Sequence, residues 1–212
     1  MENIFEKLAQ AVIEGRNKET PELVSQAFQE GIPPEDVLNK GLLAGMEEVG
    51  RLFKAEEYYV PEVLLSARAM RAAMEVLRPV LVKSGVEPKG IVALGTVKGD
   101  LHDIGKDLVG MMLEGGGFQV KDLGRDVSPQ AFVEAALSGD VQVVGLSALL
   151  TTTMENMRVT IKALEESGAR DKVKVLVGGA PVTEAYAKEI GADGYGEDAV
   201  SAVEVVKSLV GA

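Results

Sequence analysis

Apolar residues in the first 84 positions recur at the three-to-four spacing of amphipathic helices. Ile4, Phe5, Leu8, Ala11 and Val12 form one stripe, stopped at Gly15. Thr20-Pro21 reads as the start of the next helix, with Thr as N-cap and Pro in the first turn. Leu23, Val24, Ala27 and Phe28 continue it to Gly31. Pro33-Pro34 opens a third helix carrying Val37, Leu38, Leu42, Met46, Val49 and Phe53 on one face. Gly41 and Gly45, four apart on that helix, cost helix propensity and imply close approach of another helix. A fourth helix starts near Val60-Pro61 and runs through Leu64, Ala67, Met70, Met74 and Leu77 to about Lys83. The pattern predicts a four-helix bundle over residues 1–84.

Residues 85–90, Gly-Val-Glu-Pro-Lys-Gly, form a linker by composition. Beyond it the period changes. Ile91–Val97, Val120–Leu123, Val141–Leu146, Val173–Val177 and Asp193–Tyr195 read as strands, with helices predicted over 103–114, 129–138, 152–167, 182–190 and 197–210. The first, third and fourth strands are continuously apolar, as strands of a parallel sheet covered on both faces must be. Five strand–helix units over 91–212 predict an α/β fold of flavodoxin-like (Rossmann-like) order 2-1-3-4-5. Ligands of such sheets bind beyond the carboxyl ends of the strands. The loops that matter therefore follow Val97, Leu146 and Val177.

Composition narrows the chemistry. Among 212 residues there is no Cys, no Trp and one His. This excludes disulfides, Cys-held metals and clusters, Cys nucleophiles, and any site with two imidazoles from one chain. The net charge of −11 repels phosphate backbones, so no nucleic acid is expected as a partner. No apolar run is long enough to span a membrane, and the acidic, amphipathic start does not resemble a signal peptide. A cytoplasmic location is the expectation.

The loop after the first strand, Thr96 to Lys106, holds the only His, His102, with Asp100 two residues before it. Asp100 could hold one ring nitrogen and leave the other for a metal, as the carboxylate behind a ligating His does. Taken alone, a surface His capping the helix start is the more common explanation. The loop after the third strand contains Ser147, Thr151, Thr152 and Thr153; one hydroxyl would cap the helix, and four leave a surplus. The third loop begins Gly178-Gly179, which permits either a tight turn or close approach of a ligand. No dinucleotide fingerprint or P-loop is present, and the Gly115–Gly117 run follows a helix as a cap would. A flavodoxin would need a hydroxyl-rich first loop. A phosphoacceptor domain would need an Asp where the third strand ends in Ser147.

Asp100-x-His102-x-x-Gly105, 41 residues, Ser147-x-Leu149, 28 residues and Gly178-Gly179 together resemble the cobalamin-binding signature. Phe53 and the run Tyr59–Val63 resemble the helical cap over the corrinoid in methionine synthase. The likeness covers nearly the whole chain and extends to the corrinoid proteins of methanol, methylamine and O-demethylase methyltransferase systems. It implies that His102 is the lower axial ligand of cobalt, with Asp100 and Ser147 as a hydrogen-bonded relay. It implies that Asp103, Ile104, Gly105, Leu149, Thr151, Gly178 and Gly179 line the corrinoid and its displaced nucleotide tail. Tyr195, Gly196 and Glu197 would touch the tail's far end. Phe53 and Val60, with Met46 and Val63 in a weaker claim that bundle packing explains equally well, would cover the methyl-bearing face. The implied cofactor is cobalamin or a related corrinoid, cycling between methylcobalamin and Co(I), which loses and regains its lower ligand. The cofactor would supply the difficult chemistry.

On that resemblance the chain is a methyl carrier, not catalytic alone. It would be loaded by a substrate:corrinoid methyltransferase and unloaded by a corrinoid:acceptor methyltransferase, with tetrahydrofolate or a similar acceptor, and serviced by a reductive activase. The bundle would swing on the linker for each partner. The alternative of another class is a cobalamin-dependent sensor; such regulators usually carry a DNA-binding module, and residues 1–84 are consumed by the bundle. A mutase subunit shares the motif but lacks this cap. A flavodoxin-like domain with no corrinoid requires all three motif parts to be accidental.

Overall fold

The computed structural model describes residues 3–211. The chain divides into two compact units, one running to Pro88 and including Glu114–Gly117, the other formed by the remainder.

The first unit is helical: α1 (Ile4–Ile13), α2 (Glu19–Gln29), a short α3 (Pro34–Asp36) leading into a π-helical stretch (Val37–Leu43), α4 (Ala44–Lys54) and α5 (Val60–Lys83). Asn3 caps α1 by accepting the Phe5 N–H, and Glu6 reaches back to the Asn3 N–H. The expected glycine contact is present. A Cβ on Gly41 would stand 3.0 Å from Leu8 Cβ, and one on Gly45 would stand 2.8 Å from the Ala9 carbonyl oxygen. The two glycines therefore let the π-helical stretch and α4 pack closely on α1, Gly41 against the Leu8 side chain and Gly45 against the Ala9 backbone. Thr20 is not the N-cap that the sequence suggested. It lies inside α2, fully buried, and its hydroxyl donates to the Ala69 carbonyl on α5 (2.9 Å). That bond satisfies a buried hydroxyl and ties α2 to α5. Tyr58 and Ser66 both donate to the Ile13 carbonyl, which lies in the last turn of α1 and lacks an intrahelical partner. Pro79 is accommodated inside α5.

The second unit is a five-stranded parallel sheet in the order β2-β1-β3-β4-β5, as predicted. Its strands are β1 (Ile91–Val97), β2 (Gln119–Val127), β3 (Val143–Ser147), β4 (Lys174–Gly178) and β5 (Gly194–Gly196). The connecting helices are α6 (Ile104–Gly115), α7 (Pro129–Leu137), α8 (Thr151–Glu166), α9 (Glu184–Glu189) and α10 (Ala199–Val210). The last two start two residues later than expected because Thr183 and Asp198 serve as their N-caps. Val92, Val143, Val144 and Val175 are fully buried, and Phe132, Met157 and Leu164 fill the helix-covered layer.

β2 runs four residues beyond the predicted Leu123. Its second half, Gly124–Asp126, is polar, and the register slips opposite Gly95. A bulged edge strand facing water carries no apolar alternation to announce it. The register also aligns the carboxyl ends of four strands: Thr96 pairs with Ser147, Ser147 with Gly178, and Gly178 with Gly196. The three loops singled out in the sequence therefore leave one edge of one sheet.

Candidate functional site

Asp100 sits in the loop after β1 with no exposed surface. Its Oδ1 accepts the His102 backbone N–H (3.0 Å) and stands 2.7 Å from His102 Nδ1. Its Oδ2 accepts the Leu149 N–H (2.8 Å) and the Thr153 hydroxyl (2.6 Å). Burial by itself would raise the carboxyl pKa. Bonds from the Thr153 hydroxyl, the His102 and Leu149 amides and the His102 ring outweigh it and hold the group well below the usual carboxylate range. Asp100 is therefore an anion at neutral pH, and His102 Nδ1 carries the proton that binds it.

That bond fixes the imidazole. The Thr96 hydroxyl donates to the His102 carbonyl (3.0 Å) and holds the backbone behind it. The ring is half-exposed, and Nε2 has no partner among the described residues. An imidazole with one nitrogen held by a carboxylate and the other open is prepared to ligate a metal. Among the described residues no three His, Cys, Asp or Glu side chains gather to hold an ion. His102 can contribute one ligand to a metal carried by something else.

The surroundings fit a flat, largely apolar carrier of that metal. Leu101 and Ile104, beside His102 in the same loop, and Leu149 and Leu150, in the loop whose Leu149 N–H reaches Asp100, are all exposed, Ile104 by 78%. Apolar side chains clustered in water mark a binding surface. A Cβ on Gly105 would meet nothing within 4 Å, so no protein neighbour requires glycine there. Its missing side chain leaves room for a ligand.

The second glycine pair has another explanation. Gly179 adopts φ +126°, and a Cβ there would lie 1.9 Å from the Ala148 carbonyl oxygen. A Cβ on Gly178 would lie 2.9 Å from the Gly196 carbonyl oxygen. The contact between neighbouring strand ends already demands both glycines.

The hydroxyl on Asp100 belongs to Thr153 in the first turn of α8; Ser147, expected in the relay, is not among the partners of Asp100. Ser147 is half-buried at the end of β3, and Thr151 is exposed at the start of α8. Asp103 faces Arg125 at 3.4 Å. In the helical unit Met46 and Val63 are buried in the bundle, whereas Phe53 is half-buried and Val60 is 43% exposed. Tyr195 is half-buried, Gly196 buried and Glu197 exposed.

Lys106 was not anticipated. Its ammonium is buried between Asp107 (2.6 Å) and Asp122 (2.7 Å) and anchors the first turn of α6 to β2. Desolvation disfavours its charge, but the two carboxylates prevail and raise its pKa. In sequence it reads as an ordinary helix-surface lysine. Among the described residues no helix is long and apolar enough to cross a membrane.

The B12 binding domain family matches residues 90–204, and a second family of the same description matches residues 4–78. Dimethylamine corrinoid protein 3 of Methanosarcina acetivorans is 43% identical over 210 residues, covering 99% of this chain and 98% of that one. Trimethylamine corrinoid protein of Methanosarcina barkeri is 46% identical over 211 residues, covering 99% and 97%. Among solved structures, the methanol:cobalamin methyltransferase complex MtaBC from Methanosarcina barkeri superposes with a TM-score of 0.84. Identity is 32%, over 98% of this chain and 80% of that one.

Proposed function

The chain belongs to the B12 binding domain family of corrinoid proteins, and from that premise we propose a methyl carrier working between two methyltransferases with His102 as the lower ligand of cobalt. When bound, the corrinoid supplies a cobalt centre able to accept and release a methyl group. The protein's part is to bind, orient and shield it. The observation that carries the reading is the fixed imidazole: Nδ1 bonded to a buried carboxylate, on a half-exposed ring whose loop also carries the exposed Leu101 and Ile104.

In this reading Asp100 holds the His102 proton, and Thr153 supports Asp100 from α8. Gly105, Ile104, Leu149 and Leu150 meet the corrinoid, and Asp103 borders it. Ser147, Thr151 and the Gly178-Gly179 turn border its nucleotide tail. Phe53 and Val60 are assigned to the methyl-bearing face. His102 would hold the cobalt, and its hold would have to be adjustable for the corrinoid to take up and give away a methyl group. A histidine whose other nitrogen is bonded to a buried carboxylate would let a proton on that pair tune how strongly it binds the metal.

Two of its relatives are named dimethylamine and trimethylamine corrinoid proteins, and one structural neighbour is a methanol:cobalamin methyltransferase complex. The donor is therefore sought first among methylated amines, with methanol as the comparison. The acceptor-side methyltransferase and a reductive activase complete the set of partners. Purified protein loaded with cobalamin should retain a coloured corrinoid through gel filtration. After reduction of the cobalt to Co(I) by an added low-potential reductant, it should gain a methyl group when a cognate amine methyltransferase and its substrate are added. Failure to retain any corrinoid overturns the reading. Retention without methylation by any donor system would favour the sensor alternative.

A further inference from the structure

The loop bearing Asp100 and His102 is gripped from two sides by residues outside the cobalamin signature. On one side stands Asp126, next to the end of β2. Its Oδ1 accepts the Gly99 N–H at 2.8 Å, and Lys98 Nζ lies 3.0 Å from the same carboxylate. Its own N–H donates to the Asp100 carbonyl oxygen at 3.0 Å. To make these contacts Asp126 adopts φ +54°, a left-handed conformation costly for residues that carry side chains and best tolerated by Asn and Asp. On the other side, Asn156 Nδ2 donates to the Lys98 carbonyl at 2.8 Å. Asn156 lies one turn after Thr153 on α8, so one helix face holds both Lys98 and Asp100.

The Lys98–Asp126 ion pair is solvent-exposed and contributes little by itself. The amide bond to Gly99 differs, because it fixes backbone direction one residue before Asp100. Gly99 itself has φ +82° and would otherwise move freely. We propose that Asp126 is a positioning residue that sets the Gly99–His102 loop in its ligating conformation before the corrinoid arrives. This rests on the reading of His102 as the lower ligand. A preset loop removes an ordering cost from binding and holds the ligand geometry tightly.

The test uses the full chain with Asp126→Gly and Asp126→Asn. Glycine keeps the left-handed backbone and the N–H to Asp100 while deleting the carboxylate. Asparagine keeps an acceptor for Gly99 and tolerates the same φ. Amide exchange of Gly99 and His102, followed by NMR in the corrinoid-free chain, should accelerate about tenfold in Asp126→Gly, the effect of losing one amide hydrogen bond. After loading with methylcobalamin, the same variant should move from the red, His-ligated spectrum toward the yellow, unligated one. Asp126→Asn should restore both. Unchanged exchange and spectrum in Asp126→Gly, or no rescue by asparagine, overturns the proposal. If the unaltered protein never shows a His-ligated spectrum, His102 ligation fails, and the exchange data still decide whether Asp126 sets the loop.

Discussion

The Thr153 hydroxyl donates to Asp100 Oδ2 over 2.6 Å, joining the first turn of α8 to the loop after β1 across 53 positions of sequence. Both groups are buried, so the bond cannot be replaced by water without rearrangement. Thr153→Val keeps the shape and leaves the carboxylate one donor short. It should cost about 1–3 kcal/mol, the usual penalty for under-satisfying a buried polar group. Thr153→Ser should recover most of that loss. Ser147→Ala should leave the Asp100 network unchanged. Denaturant midpoints of the three variants give the order directly, and a larger loss for Ser147→Ala than for Thr153→Val would contradict it.

His102→Ala should still bind a corrinoid through the apolar rim and the surrounding loops, but with cobalt lacking its protein ligand. The methylcobalamin-loaded variant should be yellow where the parent is red. Added imidazole should return part of the red spectrum. A variant spectrally identical to the parent would remove His102 from the coordination sphere.

The two motif glycines should separate folding from binding. Gly179→Ala places a Cβ within 1.9 Å of the Ala148 carbonyl oxygen at a φ unsuited to side chains. It should destabilise by about 3 kcal/mol or more. Gly105→Ala meets no protein atom within 4 Å and should melt like the parent. Its effect should appear as weaker corrinoid retention. Thermal melting with and without cobalamin distinguishes the two.

In the helical unit, Gly45→Val should cost about 1–3 kcal/mol, because the added Cβ would come within 2.8 Å of the Ala9 carbonyl oxygen and force α1 outward. Chemical denaturation followed by circular dichroism measures this loss.

Asp100 also predicts a pH dependence. Its folded pKa is depressed, whereas the unfolded carboxyl titrates near 3.9, roughly. A depressed carboxylate stabilises the fold fully above the unfolded value and loses that contribution as pH falls below it. The denaturation midpoint should therefore fall from about pH 4 downward. Asp100→Asn should be less stable at neutral pH and flatter in this acid range. An equally steep acid limb in Asp100→Asn would show that other carboxylates govern it.

Much of this arrangement could be read from residue order because the physics was local. β1, β3 and β4 are apolar through their buried stretches, with Thr96, Ser147 and Lys174 at or near their ends, as strands of a sheet buried on both faces must be. Gly41 and Gly45 announced a helix contact through the propensity they sacrifice. The choice of Thr153 among four neighbouring hydroxyls could not be read. Ser147, Thr151, Thr152 and Thr153 are chemically similar, and only the start of α8 at Thr151 and its packing decide which one faces Asp100. Thr20 failed for a related reason. A Thr-Pro pair signals a cap, but a tertiary bond to Ala69 drew the hydroxyl inward. The extension of β2 and the role of Asp126 left no trace, because exposed polar edge residues look like loop.

The two margins of the sheet have a consequence for how the protein behaves in company. β5 is three residues long, and β2 carries Lys121, Asp122, Arg125 and Asp126 along its length, with a bulge that bends it away from flatness. Neither margin offers the long, flat, uncharged row of amides on which another chain could build. The sheet thus gives a second copy of the chain no ready edge on which to add strand to strand.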